Sequence, residues 1–294
     1  MINLKGIYPP IPTSFDDSGE LALERMQENL IHLSKYSLAG FLILGSNGET
    51  VMLSQNEKIR VYEAARQVIP ARMLMLAGTG GQSTRETIEL TKAAEDSGAD
   101  AALVLNPFYY KGLMTKDALV RHYHLVADQT DIPVIIYNMP ANTGIDMTAD
   151  TILAIAQHEN IIGLKDSGGN LAKMGEIVGK ARPGFQVLAG SAGFLFPALA
   201  VGAVGGILAL ANIAPQQCIE IHQLFLEGKM EIARKLQNSL IELNAMVTRE
   251  QGVPALKAAM DMLSIYGGPC REPILPVSEA IKNSIADLLN DLNN

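Results

Sequence analysis

Cysteine is scarce in this chain. Cys218 and Cys270 are the two examples among 294 residues, and no CxxC pair occurs. Disulfide frameworks and zinc sites are built from several closely spaced cysteines, so both are disfavoured. The scarcity fits a reducing compartment, and we expect a cytoplasmic protein. The first residues show no basic region followed by an apolar stretch, so no secretory signal is expected, although an organelle stays open if a transit segment was removed.

An excess of basic residues and long apolar runs are missing as well. The chain has 23 Lys and Arg against 31 Asp and Glu, for a net charge of −8. Nucleic-acid-binding proteins normally carry a basic patch, so we expect no nucleic-acid partner. The most apolar region, residues 198–211, is interrupted by three glycines. It is shorter than the roughly 20 residues that a membrane helix needs, so we expect no membrane association.

Short apolar segments alternate with amphipathic stretches along the first two thirds of the chain. The eight predicted strands are residues 6–15, 40–45, 73–78, 101–106, 134–138, 161–165, 186–190 and 206–211. Helical spacing predicts helices over residues 23–34, 56–68, 84–97 and 115–127, with Ser54 and Glu57 at one N-terminus. Strands that are apolar on both faces indicate a parallel sheet covered by helices. Eight repeats favour a (β/α)8 TIM barrel, although an open doubly wound sheet shares this pattern.

The pattern changes after residue 214, where no further strand is predicted. The predicted helices there are residues 215–226, 230–247, 254–263 and 278–292. No linker rich in proline, glycine or serine separates them from the preceding part. The sequence therefore predicts a barrel catalytic domain over residues 1–214 and a C-terminal helical domain over residues 215–294, packed on the barrel.

A lysine closes the sixth predicted strand, where Ile161, Ile162 and Leu164 precede Lys165. A buried ammonium group must be paired or lose its proton. Apolar neighbours favour the neutral amine, which can add to a ketone and form an iminium ion. That cation withdraws electrons from the adjacent carbon–carbon bond. We therefore expect an aldol cleavage or condensation that needs no metal and no other cofactor.

Hydroxyls, glycines and phenols close the other predicted strands, and no histidine or acidic cluster of the metal-ligand type lies there. In a barrel of this kind the carboxyl ends of the strands share one rim, where reactive groups lie. Tyr137 ends the neighbouring fifth strand and is a candidate proton carrier. The segment 45–48, Gly-Ser-Asn-Gly, can offer a hydroxyl and consecutive N–H groups to a substrate carboxylate.

Structural alternatives exist for each of these residues. Lys165 could form a salt bridge with Asp166 or Glu49. Tyr137 could simply fill the top of the barrel, and the segment 45–48 could be an ordinary turn.

Four motifs carry a resemblance to a known family. They are Gly45-Ser46-Asn47-Gly48-Glu49, Tyr137-Asn138-Met139-Pro140, Gly163-Leu164-Lys165-Asp166-Ser167 and Gly267-Gly268-Pro269-Cys270-Arg271. On these motifs, and over essentially its whole length, the chain resembles the dihydrodipicolinate synthase / N-acetylneuraminate lyase family of pyruvate-dependent class I aldolases. The resemblance implies a (β/α)8 barrel with a C-terminal helical domain, usually assembled as a homotetramer.

The resemblance also implies roles for individual residues. Lys165 becomes the residue that forms the Schiff base, and Tyr137 the phenol that transfers protons. Ser46 matches the hydroxyl of the family's proton relay, and Tyr109 matches a second tyrosine that reaches in from the adjacent subunit. The implied substrate-binding positions are Ser46 and Asn47 through their backbone amides, Gly190, and Ile207 in the pocket lining.

Two departures from the synthase branch bear on the substrate, a small 2-oxo acid. That branch usually has two threonines where this chain has Ser46 and Asn47, and an arginine where it has Asn142. The arginine binds a carboxylate, which is harder to hold without it. With the segment 188–194, the motifs look most like those of the branch that cleaves 4-hydroxy-2-oxoglutarate to pyruvate and glyoxylate. Ser167 then becomes a contact for the distal part of the substrate, and Asn142 is a further substrate-binding position.

Other functions stay open on the sequence alone. Within the same chemistry they are 4-hydroxy-tetrahydrodipicolinate synthase, N-acetylneuraminate lyase, and an aldolase or dehydratase of 2-keto-3-deoxy sugar acids. A non-enzymatic keto-acid sensor is the alternative from another class. The presence of the lysine and both phenols argues against a sensor, because binding alone needs no proton relay.

Overall fold

Eight parallel strands form a single sheet in the computed structural model, which describes residues 2–292. The strands are β1 (Gly6–Tyr8), β2 (Gly40–Ile43), β3 (Leu74–Gly78), β4 (Ala101–Leu105), β5 (Val134–Asn138), β6 (Ile161–Asp166), β7 (Gln186–Ala189) and β8 (Gly205–Ile207). Each strand pairs with its neighbour in chain order, and β8 pairs with β1. Just after β1, Pro10 bridges to Leu42 of β2, which completes the ring. The predicted (β/α)8 barrel is confirmed.

Helices follow most of the strands and cover the outside of the barrel. They are α1 (Leu23–Leu33), α2 (Gln55–Val68), α3 (Thr84–Asp96), α4 (Lys116–Asp128), α5 (Pro140–Thr143), α6 (Ala149–Ile155), α7 (Leu171–Lys180) and α8 (Leu195–Ala200). The predicted N-terminus of α2 is confirmed, because the Ser54 hydroxyl accepts the Glu57 N–H and the Glu57 carboxylate accepts the Ser54 N–H. Helices α5 to α8 are not predicted by the sequence pattern.

Five helices follow the last strand. They are α9 (Pro215–Leu226), α10 (Met230–Ser239), α11 (Ile241–Ala245), α12 (Gly252–Met262) and α13 (Glu279–Leu292). The helix predicted over residues 230–247 is divided in two, and Met246–Glu250 then forms a π-helical turn. The domain boundary at residue 214 stays a prediction, and residues 293 and 294 lie outside the described range. Within residues 2–292, no helix has both the length and the apolar character needed to cross a membrane.

The first and the last predicted strands are shortened most in the structure. The first ends at Tyr8 because the prolines that follow lack the N–H that a sheet ladder uses. The last ends at Ile207, and Ala209–Asn212 forms a 3₁₀ turn instead. The Asn212 amide in this turn donates to the Pro10 carbonyl at 3.0 Å, so the turn is fixed to the start of the barrel.

The barrel has two separate apolar cores. The outer core lies between the strands and the helices, and the inner core fills the barrel and includes Tyr137, Ile162 and Ile207. Side chains on a strand alternate between the two faces. A register shift after Ile161 interrupts this alternation on β6, because Val134 pairs with Ile161 and the next residue, Ile135, pairs with Gly163. Ile161 and Leu164 both belong to the outer core, against the prediction that they form walls around Lys165. Of the three predicted walls, only Ile162 lies in the inner core.

Candidate active site

Lys165 and Tyr137 lie side by side within the barrel. The register of β5 and β6 pairs them directly, and they are 3% and 4% exposed, respectively. The Nζ atom of Lys165 is 4.1 Å from the centroid of the Tyr137 ring. Since parallel neighbours in register point to the same face, the amine and the phenol share one space.

The two carboxylates considered as salt-bridge partners of Lys165 are paired with other lysines. Glu49 lies 2.6 Å from Lys257, and Asp166 lies 3.2 Å from Lys173. Across residues 2–292, no carboxylate oxygen lies within 4.0 Å of the Lys165 amine. The salt-bridge alternative is therefore wrong for both carboxylates, and the amine of Lys165 has no carboxylate partner within the described residues.

A polar network at the end of β6 holds the residue next to the amine. The buried Asp166 accepts the Gly168 N–H at 2.6 Å, and the Lys173 ammonium of α7 reaches both Asp166 and Asp146. The Asn138 amide also donates to Asp146, at 2.8 Å. These contacts tie the loops after β5 and β6 together. Lys173 was not predicted from the sequence. Its only signal there is its position in the first turn of α7, the helix that follows a strand ending in Asp166.

The Tyr137 hydroxyl is hydrogen-bonded and easier to ionise than an ordinary phenol. It lies 3.2 Å from the Ser46 hydroxyl. Burial alone would raise the pKa of Tyr137. The charge of Lys165 and hydrogen bonds with Ser46, Lys165 and Ser167 outweigh burial and lower the pKa below its ordinary value of 10.0. A phenol in this setting can both donate and accept a proton near Lys165.

The segment after β2 folds into the 3₁₀ turn Ser46–Gly48. The Gly48 N–H donates to the Gly45 carbonyl at 2.9 Å. The N–H groups of Ser46 and Asn47 come before this first paired amide, so they have no acceptor inside the turn. Two consecutive free amides can bind a carboxylate. The turn thus combines a hydroxyl 3.2 Å from the Tyr137 hydroxyl with two consecutive amides that have no acceptor inside the turn.

Gly190 makes room for the hydroxyl of Ser167. The Gly190 N–H donates to the Asp166 carbonyl at 2.8 Å, which brings the ends of β6 and β7 close together. A Cβ atom on Gly190 would lie 2.1 Å from the Ser167 Oγ and 2.7 Å from the Asp166 carbonyl oxygen. Only glycine fits here without a shift of the β6 end.

We expect Gly190→Ala to lower kcat/KM by about 10²-fold, because displacement of the β6 end misplaces the neighbouring Lys165. Steady-state kinetics on the purified variant check this. The matched control is Gly179→Ala, on an exposed part of α7 where a Cβ meets nothing within 4 Å. There alanine should leave activity unchanged and add about 0.5–1 kcal/mol of stability. Normal activity in Gly190→Ala would contradict the close packing described.

Not every predicted site residue lies with this group. Ile207 is completely buried in the inner core, opposite Tyr8. Asn142 is exposed on α5, and the Lys111 ammonium lies 2.7 Å from where a Cβ on Gly144 would be. The structure therefore adds a cation beside the loop that lacks the arginine of the synthase branch. Sequence reasoning missed Lys111, because the residue belongs to the loop after β4.

Tyr109 lies outside the group formed by Lys165, Tyr137, Ser46 and Ser167. It is 75% exposed, and its ring contacts the exposed ring of Tyr110 edge-on, with 5.1 Å between the ring centroids.

Among residues 2–292, no set of three His, Cys, Asp or Glu side chains is arranged to hold a metal ion.

Known proteins are similar to this chain in both sequence and fold. The sequence model of the Dihydrodipicolinate synthetase family matches residues 3–292. An Emericella nidulans protein named "Probable 4-hydroxy-2-oxoglutarate aldolase, mitochondrial" is 37% identical over 291 residues, covering 96% of this chain and 94% of its own. Dihydrodipicolinate synthase DapA-2 from Bacillus anthracis has a TM-score of 0.95 and 28% identity, with 99% of both chains covered. YagE, an E. coli K12 prophage protein solved in complex with pyruvate, has a TM-score of 0.93 and 31% identity, with 99% of both chains covered. The chain therefore belongs to the dihydrodipicolinate synthetase family and is a lyase of the aldolase type.

Proposed function

We propose that this enzyme cleaves a 4-hydroxy-2-oxo acid, 4-hydroxy-2-oxoglutarate in the first place, to pyruvate and glyoxylate through a Schiff base on Lys165. The observation that carries the proposal is a buried amine without a carboxylate partner, 4.1 Å from the ring of a phenol whose pKa is lowered. An amine held in this way can act as a nucleophile toward a carbonyl carbon.

The reaction follows from the positions of these groups. The neutral amine of Lys165 adds to the C2 carbonyl, and Tyr137 protonates the departing oxygen, so that water leaves and an iminium ion forms. A base then takes the proton of the C4 hydroxyl, and the C3–C4 bond breaks. Its electron pair moves into the iminium system and gives an enamine, while C4 leaves as the aldehyde. Protonation at C3 and hydrolysis release pyruvate and return the amine.

Ser46 and Asn47 are proposed to bind the carboxylate at C1, and Ser46 to pass protons to and from Tyr137. The 3.2 Å contact between the Ser46 and Tyr137 hydroxyls supports the second role. Ser167, whose hydrogen bond helps to lower the Tyr137 pKa, is proposed to contact the C4 side of the substrate. Asn142 is proposed to contact the distal carboxylate, with Gly190 and Ile207 shaping the pocket.

The substrate proposal is supported by one relative and one residue. The Emericella nidulans relative carries the name of a 4-hydroxy-2-oxoglutarate aldolase, whereas the Bacillus anthracis structure is of a dihydrodipicolinate synthase. Asn142 stands where the synthase branch has the arginine that binds its intermediate. Synthase activity is the second candidate. The absence of the two-pronged guanidinium argues against it, because the nearby Lys111 ammonium offers a single point charge in its place.

Two experiments test the proposal. Incubation with pyruvate and borohydride should attach one reduced pyruvyl group to Lys165, located by mass spectrometry of peptides. Label on another residue, or none, would contradict the Schiff-base mechanism.

A coupled assay of pyruvate release should then favour 4-hydroxy-2-oxoglutarate over N-acetylneuraminate and 2-keto-3-deoxy sugar acids, and condensation of pyruvate with aspartate semialdehyde should be slow. Inactivity on 4-hydroxy-2-oxoglutarate would end the substrate assignment.

We also propose that the protein is a homotetramer in which Tyr109 completes the proton relay of a neighbouring subunit. The support is its exposure: a tyrosine that is 75% exposed in the single chain is free to enter another copy. Aromatic side chains such as those of Tyr109 and Tyr110 are also enriched in protein–protein interfaces, where they become buried on assembly.

Hybrid assembly tests the role of Tyr109. Tyr109→Phe and Lys165→Met should each be inactive alone, whereas their co-expressed mixture should recover about a quarter of full activity, because half of the pairs formed would hold one intact site. The measurement is kcat per subunit of the mixture, with each variant alone as the control. An inactive mixture in which mass spectrometry finds both chains in one assembly would contradict exchange of the tyrosine between subunits.

A further inference from the structure

A buried ion pair joins the end of β2 to the C-terminal helices. The Nζ atom of Lys257, on α12, lies 2.6 Å from a carboxylate oxygen of Glu49, and each side chain is 1% exposed. The second carboxylate oxygen of Glu49 accepts a hydrogen bond from the backbone N–H of Arg271 at 2.9 Å. The Lys257 ammonium also donates to the Pro269 carbonyl at 2.7 Å. A charge buried in this way is strongly destabilised if its partner is removed. The pair is therefore a fixed point of the structure.

Glu49 directly follows the turn Ser46–Gly48, to which carboxylate binding is assigned above, and the backbone of Glu49 itself is strained. Its φ is +52°, in the left-handed region that residues with a Cβ rarely adopt. Its N–H donates to the Ser46 carbonyl at 3.1 Å, and the Thr13 hydroxyl donates to the Gly48 carbonyl at 2.6 Å. Such a conformation persists only where surrounding contacts enforce it. The side-chain contacts of Glu49 supply that enforcement.

The cationic side of the pair is itself anchored to the barrel. The Lys257 Nζ lies 4.8 Å from the centroid of the Phe15 ring, and the Arg271 guanidinium lies 4.4 Å from the same ring. Arg271 also donates to the Gly19 carbonyl at 2.7 Å and pairs with Glu57 at 2.7 Å. Phe15 and Gly19 belong to the loop after β1, and Glu57 to α2. The loops after β1 and β2 and the C-terminal helices therefore meet at one cluster.

We propose that Glu49 and Lys257 are positioning residues for the carboxylate of the substrate. Together they fix the turn so that the amides of Ser46 and Asn47 converge on that carboxylate. The inference rests on the proposed function, since it assigns this turn to the C1 carboxylate. Neither side chain touches the substrate, and both act through the backbone of the turn. The C-terminal helices thereby contribute to substrate binding without lining the pocket.

Two ketones distinguish a positioning role from a general structural one. Pyruvate carries the carboxylate and acetone does not, yet either can form an imine with Lys165 and be trapped with borohydride. For Glu49→Gln and Lys257→Met, we expect the pyruvate concentration at half-maximal labelling to rise by about 10- to 100-fold, because small displacements of binding groups have effects of this size. The acetone concentration at half-maximal labelling should stay within about twofold of that of the unchanged enzyme.

Turnover and a matched control complete the test. KM for the oxo acid should rise in parallel with the pyruvate value while kcat changes little. Lys235→Met removes an exposed lysine that lies 3.4 Å from Glu231 on α10, and it should change neither labelling curve. If Glu49→Gln and Lys257→Met fail to fold, Glu49→Asp keeps the charge, withdraws the carboxylate by one methylene, and should show the same selective loss of pyruvate labelling.

The outcomes separate this inference from the proposed function. Equal shifts for pyruvate and acetone, or unchanged curves in the folded variants, would overturn the positioning role while leaving the Schiff base in place. An unchanged enzyme that takes up no pyruvyl label would instead overturn the proposed function, and the inference with it.

Discussion

Replacement of Lys165 by either methionine or arginine should abolish pyruvate release, lowering kcat/KM by about 10⁴-fold or more. Methionine has no nucleophile. Arginine keeps the positive charge but does not lose its proton, so it forms no iminium ion. The buried position beside Tyr137 makes the comparison informative, because a purely electrostatic role would survive the change to arginine. The measurements are steady-state kinetics and pyruvate labelling of each variant, with folding checked by circular dichroism.

Lys180→Met is the matched control for these variants. Lys180 lies on α7, the helix that follows β6, and its side chain is 64% exposed and 2.8 Å from Glu176. Exposed pairs of this kind contribute about 0–1 kcal/mol, so activity and folding should both be preserved. Substantial activity in Lys165→Arg would show that Lys165 acts only as a cation, and the proposed mechanism would fail.

The barrel was predictable because its physical signal is local. Strands buried on both faces give short apolar segments, and eight of these between amphipathic stretches indicate the fold. The element ends were less predictable where tertiary contacts decide them. The 3₁₀ turn Ala209–Asn212 continues the apolar run of β8 without a change in composition. Helix α8 shows no polar face because α9 and α10 pack against it, so helical periodicity is hidden.

The position of the candidate site was also predictable, but its ion pairs were not. Lys165 and Tyr137 lie one residue before the ends of adjacent strands, and the carboxyl ends of parallel strands must converge on one rim. The pairs Glu49–Lys257 and Asp166–Lys173 depend on how helices pack against that rim. Sequence spacing carries no such information, so the alternative salt bridges of Lys165 could be rejected only with the structure.

Tyr137→Phe should lower kcat by about 10²- to 10⁴-fold, the usual contribution of a positioned proton carrier. Pyruvate labelling of Lys165 should still reach completion at long times, because the nucleophile is intact. The split between lost turnover and retained labelling distinguishes a proton carrier from a residue that only shapes the pocket. Single-turnover kinetics and labelling time courses on the same preparation measure the two quantities.

The ionisation of Tyr137 can be followed through phenolate absorbance, as the difference between the unchanged enzyme and Tyr137→Phe. Burial opposes ionisation, but Lys165 and the hydrogen bonds lower the pKa of Tyr137, so the midpoint should lie below 10.0. Ser46→Ala removes one of these hydrogen bonds and should move the midpoint upward. Because the folded-state pKa is the lower one, the resulting stabilisation is complete above the unfolded pKa and is lost as pH falls through the folded pKa.

Tyr8→Phe provides the matched control for the loss of a buried phenol. Tyr8 lies in the same inner core, and its hydroxyl has no hydrogen-bond partner among residues 2–292. Burial raises its pKa above the ordinary value, so Tyr8 keeps its proton at neutral pH and the variant should retain full activity. If Tyr137→Phe turned over as fast as Tyr8→Phe, the proton would have to come from another group. Tyr137 would then only fill the top of the barrel, and the lowered pKa would have no role in the reaction.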